Sequence, residues 1–195
     1  MVKSSLWGPP IWDMLFSCAW EYREDDENLA SLKELIRRTC EILPCQECRN
    51  HYEKNQMKAS RRLGRDIHNG SDVFEWLYWL KDEVNRSQRR KSHISLYTLR
   101  SIYTFHGPYV DEVKLADALV CFAMFSKEKG ETQEFTDLCS TIHSVLPVAR
   151  DSQFLQHLKG INPTATLTGS VRCAQAARAE RGVPVLSLQH YRRSV

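Results

Sequence analysis

Apolar residues recur along this chain mostly with a helical period. Trp12, Leu15, Phe16 and Ala19 fall at i, i+3, i+4 and i+7, one face of a helix. Proline suits the first helical position, so Pro9 or Pro10 is expected to open this helix, which runs to about Tyr22. The acidic run Glu24-Asp25-Asp26-Glu27 reads as a solvated turn. Leu29, Leu32, Ile36 and Leu43 then predict a second helix from about Asn28 to Ile42, ended by Pro44. A third helix, polar outside, is expected from Cys45 to about Met57, followed by a basic, irregular stretch to Gly70 with a turn at Asn69-Gly70. The fourth opens at Ser71 or Asp72, where Asp72 and Glu75 have capping-box spacing, and continues to about Arg86. It carries two adjacent stripes, Val73, Trp76, Leu77, Leu80 and Val84 beside Phe74, Tyr78, Lys81 and Asn85. So wide an apolar arc packs against more than one neighbour, and four helices of this length make a bundle.

Beyond a basic break at Arg86 to Lys91 the helical period returns at Ser95 to Phe105, Tyr109 to Lys127 and Thr132 to Leu146, with a further turn or two at Gln153 to Lys159. From Gly160 it fades, and a mobile tail with a short helix near Ala174 to Glu180 is expected. The reading is therefore all-α: a four-helix bundle over 1–90, a helical extension over 91–159 and a tail over 160–195. Scarce glycine (8) and proline (7) in 195 residues favour the same class. A net charge of +3 is too weak to argue for nucleic acid. No apolar run reaches 18 residues, since the best, Leu115 to Phe125, is broken by Asp117, and the first residues lack an apolar leader segment. An intracellular protein without a membrane segment is expected.

Chemistry concentrates in Leu43-Pro44-Cys45-Gln46-Glu47-Cys48-Arg49-Asn50-His51. Cys45 falls at the start of the third helix, where unpaired N–H groups and the helix dipole favour a thiolate. Two intervening residues let Cys45 and Cys48 close a short, exchange-prone disulfide. Two other readings stay open, an inert structural pair and a zinc site made by Cys40, Cys45, Cys48 and His51. Cys18 and Cys121 lie on apolar stripes and read as small buried hydrophobes. On periodicity alone Trp12, Phe16, Trp76 and Trp79 are core aromatics.

Three ordered motifs add to this: Trp7-Gly8-Pro9-Pro10-Ile11-Trp12, then Leu43-Pro44-Cys45-x-x-Cys48-Arg49-x-His51, then Trp76 with Glu83-Val84-Asn85-Arg86. Over roughly residues 6 to 90 the chain resembles the Erv/ALR flavin-dependent sulfhydryl oxidases, most of all the compact forms encoded by large DNA viruses. The resemblance implies FAD held in the bundle beside the CxxC, with electrons passing from thiol-containing protein substrates to the flavin and on to O₂ as H₂O₂. Cys45 is then the cysteine that exchanges with substrate and Cys48 the flavin-side cysteine. Gly8 and Trp12 match the first flavin-binding segment, and His51 the histidine after the CxxC. Trp79, Val84 and Asn85 fall in the segment around adenine and ribose. Phe16 stands where the family has a flavin-contacting histidine, and keeps stacking while losing a donor. Lys81 and Asp82 replace the HN of the HNxVN motif; Lys81 brings a point charge to the pyrophosphate, which Asp82 repels unless it faces away. The resemblance further implies a homodimer, a disulfide between Cys121 and Cys139 like that of cellular members, and a shuttle role for Cys173. A viral origin would place the protein in an infected cell or virion. The alternative function is a helical scaffold that kept the fold and lost the flavin.

Overall fold

Helix α1 (Ser4–Glu21) begins before the expected Pro9 and carries Pro9 and Pro10 inside it. Tertiary packing draws the first turn in: Trp7 is buried and stands edge-to-face on Phe122 with ring centroids 5.9 Å apart. The computed structural model describes residues 4–24, 27–89, 94–146, 152–164 and 166–184, which form nine helices and no strand. Helices α2 (Leu29–Glu41), α3 (Gln46–Leu63) and α4 (Gly70–Ser87) complete the first set.

Helix α3 runs through the basic stretch expected to be irregular. Asn55, Ala59 and Leu63, four residues apart, are buried along one line, and Lys58, Arg61 and Arg62 between them mask that stripe in the sequence. Gly64, at φ +70°, ends the helix in the left-handed conformation that glycine adopts freely, its N–H donating to the Ser60 carbonyl. The cap of α4 is Asn69 rather than Ser71 or Asp72: the Asn69 side chain accepts from the Asp72 N–H at 2.9 Å. The Glu75 carboxylate goes instead to Arg65 and Arg100. Gly70 lies so close to the Ala19 and Tyr22 carbonyls that a Cβ there would run into α1 backbone.

Helices α5 (Leu96–His106), α6 (Glu112–Lys129), α7 (Thr132–Val145), α8 (Gln153–Lys159) and α9 (Thr166–Glu180) follow. Helix α6 packs on α1, and α7 packs on α2, where Arg38 meets Asp137 at 2.8 Å. Ser17 of α1 hydrogen-bonds both the N–H and the carbonyl of Tyr109. The division expected near residue 90 therefore does not interrupt the core, which runs continuously from Trp7 to Ala177. The basic break itself lies partly outside the described residues.

The expected mobile tail needs correction over 166–184. Helix α9 packs on α6 and α8, burying Thr166, Ser170, Cys173, Ala174 and Ala177. Its buried side chains are small, so it packs by close approach and gives little large-residue periodicity to read. Arg178 ties it down, pairing with Asp117 of α6 and donating to the Pro184 carbonyl. The remainder of that tail, 185–195, lies outside the described residues. No described helix is long and apolar enough to cross a membrane.

Candidate functional site

Pro44 stops α2, and Cys45 takes an extended backbone (φ −165°) as the N-cap of α3. Its sulfur accepts the Cys48 N–H at 3.2 Å, filling the capping role that a Ser or Asp oxygen usually takes at this position. Cys45 and Cys48 are disulfide-bonded with Cα atoms 5.2 Å apart. The Leu43 carbonyl accepts twice, from the Cys45 N–H at 2.7 Å and from Arg49 Nε at 2.9 Å, which fixes the entry into the helix. Once the disulfide is reduced, the helix N-terminus favours thiolate at Cys45. The zinc alternative is not assembled: among the described residues no three His, Cys, Asp or Glu side chains are grouped to hold a metal ion.

The other cysteines are free and buried. Burial pushes their thiols up, Cys40 to about 12 and Cys121 to about 11. Cys121 and Cys139 are therefore not the disulfide implied by the resemblance. Cys173 is fully buried, its thiol donating to the Phe154 carbonyl, so in this structure it cannot serve as an accessible shuttle.

A cavity of about 310 Å³ lies between α1, the end of α2, the start of α3 and the second half of α4. Seven of the candidate cofactor residues line it: Gly8 and Trp12 from α1, Cys48 and His51 from α3, and Lys81, Val84 and Asn85 from α4. Cys45, Phe16, Trp79 and Asp82 do not. Phe16 is buried in an aromatic cluster, edge-to-face with Phe74 at 5.1 Å and near Tyr103 at 6.5 Å, and so joins α1 to α4 and α5. Trp79 lies under the Arg62 guanidinium at 3.9 Å. The Asp82 carboxylate faces Arg62 and Arg86, away from the cavity. Lys81 brings a cation to the lining, its Nζ 5.9 Å from the Trp12 ring and 5.4 Å from the Phe16 ring. Burial holds the Lys81 ammonium below its ordinary range against the pull of Asp13, and burial raises the Asp13 carboxyl.

Sequence reasoning missed Trp7, Asp13 and Tyr52 as lining residues, although Trp7 opens the first motif. Trp7 is 6% exposed, and its indole Nε1 is buried with no hydrogen-bond partner among the described residues. At a lining position this donor is open to an acceptor carried by a ligand. Apolar walls from Trp7, Trp12, Leu43 and Val84, an ammonium at Lys81 and an amide at Asn85 suit a flat aromatic ligand bearing carbonyl and anionic oxygens. The residues present therefore fit a flavin nucleotide.

A larger cavity of about 570 Å³ lies on the other flank of α3, against α2. Cys40 and Tyr52 line both cavities and form the wall between them. Neither Cys45 nor Cys48 lines the larger one, so size does not identify the site; the sulfur and the converging motif residues do.

The sequence model of the Erv1 / Alr family covers residues 9–101, from the first turns of α1 into α5. No curated protein and no solved structure matches the chain.

Proposed function

Residues 9–101 belong to the Erv1 / Alr family, generally flavin-linked sulfhydryl oxidases, and from that premise we propose that this protein is an FAD-dependent thiol oxidase forming disulfides in protein substrates. The observation that carries the reading is the asymmetry of the disulfide: Cys48 lines the cavity that suits a flavin and Cys45 does not. FAD bound there supplies the redox chemistry, taking up the two electrons of a dithiol and delivering them to O₂ as H₂O₂.

The chain's own part is thiol–disulfide exchange. A substrate thiolate attacks the Cys45 sulfur, the Cys45–Cys48 bond breaks, and Cys48 leaves as a thiolate facing the cavity. The second substrate thiol, as thiolate, attacks the substrate sulfur of the mixed disulfide. Substrate departs oxidised, and Cys45 leaves as a thiolate met by the Cys48 N–H at the α3 N-terminus. Two electrons then reside on the Cys45/Cys48 pair. Lys81 offers charge to an anionic group, Trp7 Nε1 offers a hydrogen bond, and Trp12 offers a ring face. Since Phe16 sits in the aromatic cluster rather than the lining, its replacement of a histidine leaves the cavity's donor set intact.

The test is the visible spectrum of the purified protein beside that of Cys48→Ala. Expected is a flavin band that bleaches anaerobically with dithiol, with peroxide production lost in Cys48→Ala. A colourless protein that stays inactive when given FAD overturns the reading in favour of the scaffold.

A further inference from the structure

Arg49 follows Cys48 directly, yet its guanidinium is spent on the part of the chain beyond the family match. Nη1 and Nη2 form a two-pronged contact with the Glu131 carboxylate at 2.8 and 2.7 Å, and the group lies 4.9 Å from the Phe125 ring centroid of α6. Nε meanwhile holds the Leu43 carbonyl that also accepts the Cys45 N–H. The Arg49 side chain is only 15% exposed and that of Glu131 28%. A half-buried cation is thus fastened to the redox loop on one side and neutralised from the α6–α7 junction on the other. The Glu131 carboxyl is held below its ordinary range, with its hydrogen bonds to Arg49 the largest cause.

We propose that Glu131 is a positioning residue for the redox disulfide: by clamping and neutralising Arg49, the C-terminal extension sets how readily the Cys45–Cys48 bond is reduced. The inference rests on reading Cys45–Cys48 as a redox pair. It does not need bound flavin.

The sign follows from charge. Without the Glu131 carboxylate the Arg49 cation is uncompensated on the Leu43 carbonyl that also holds the Cys45 N–H, thiolate is favoured, and the disulfide becomes easier to reduce. Without Arg49 the carboxylate is left alone, and reduction becomes harder. The other charges nearby, Glu47 in the first turn of α3 and Lys129 beside the Phe125 ring, are unchanged by either substitution.

The experiment equilibrates the purified full-length protein with glutathione redox buffers and quantifies the oxidised Cys45–Cys48 fraction by quenching and mass spectrometry. Glu131→Gln is expected to raise the reduction potential and Arg49→Gln to lower it, each shifting the equilibrium constant by about threefold to tenfold, roughly 15–30 mV for this two-electron couple. The double variant Arg49→Gln/Glu131→Gln should return toward wild type. A loop merely loosened by lost contacts would move both single variants in the same direction. That result, or no shift in folded variants, overturns the proposal. Should Glu131→Gln fail to fold, Arg49→Gln decides alone: a lowered potential supports the clamp, and an unchanged or raised one sinks it. Glutathione equilibria that follow the charges in a protein without flavin would uphold the clamp while the oxidase reading fails.

Discussion

Phe154→Ala tests whether the bundle and the extension are one folding unit. Phe154 is fully buried in α8, which packs on α7 and α9, and truncating a buried Phe to Ala costs about 3–5 kcal/mol from lost transfer energy and the cavity left behind. With a urea slope near 3 kcal/mol per molar, the upper end for domains, the midpoint falls by about 1–1.7 M. The chain supplies its own two-channel assay. All five tryptophans, Trp7, Trp12, Trp20, Trp76 and Trp79, lie in α1 and α4, so their emission reports the bundle, whereas far-UV circular dichroism reports every helix. A core continuous from Trp7 to Ala177 requires both signals to shift together, with coincident transitions. If the dichroism splits into two steps while the tryptophan midpoint stays at its wild-type value, the extension is a separate domain and the argument for a shared core is wrong.

Three further outcomes are expected. After reduction under native conditions Cys45 and Cys48 should be the cysteines that react promptly with a thiol reagent, while Cys18, Cys40, Cys121, Cys139 and Cys173 wait for unfolding; fast labelling of Cys173 in peptide mass maps would reopen its role as a shuttle. Trp7→Phe leaves an aromatic ring but removes the indole N–H with the pyrrole half of the side chain, and should weaken FAD retention by about tenfold, from the lost hydrogen bond and lost packing, read by equilibrium dialysis; unchanged affinity would mean that the indole donor does not meet the ligand. Acid should destabilise the fold partly through Glu131. Its folded carboxyl is depressed by Arg49, so its contribution is complete above the unfolded value near 4.3 and is lost as pH falls through the lower folded value, and melting curves of Glu131→Gln should show a flatter acid limb than wild type.

What the sequence disclosed follows the size of the side chains that carry each signal. Helices α4 and α6 place large residues at helical spacing and were legible within a few positions; α9 buries alanine, serine and cysteine, and the end of α3 hides Ala59 and Leu63 among arginines, so the end of α3 and the first half of α9 read as irregular while the helix expected near Ala174 to Glu180 is the second half of α9. The Cys45–Cys48 disulfide was legible because proline, cysteine spacing and helix start coincide within nine residues. Around the cavity, neighbouring motif residues were separated by their packing partners: Trp12 and Lys81 reach the lining, while Phe16, one turn on from Trp12, and Asp82, next to Lys81, are drawn off by Phe74 and by Arg62 and Arg86. Asp82 shows what the replacement in the motif costs. Its carboxylate is buried against Arg62 and Arg86, outside the cavity lining, and Arg62 reaches it because α3 continues to Leu63. The basic stretch that looked formless in the sequence is thus what keeps the cavity free of a second negative charge, and the length of α3 and the electrostatics of the site are one property of the chain.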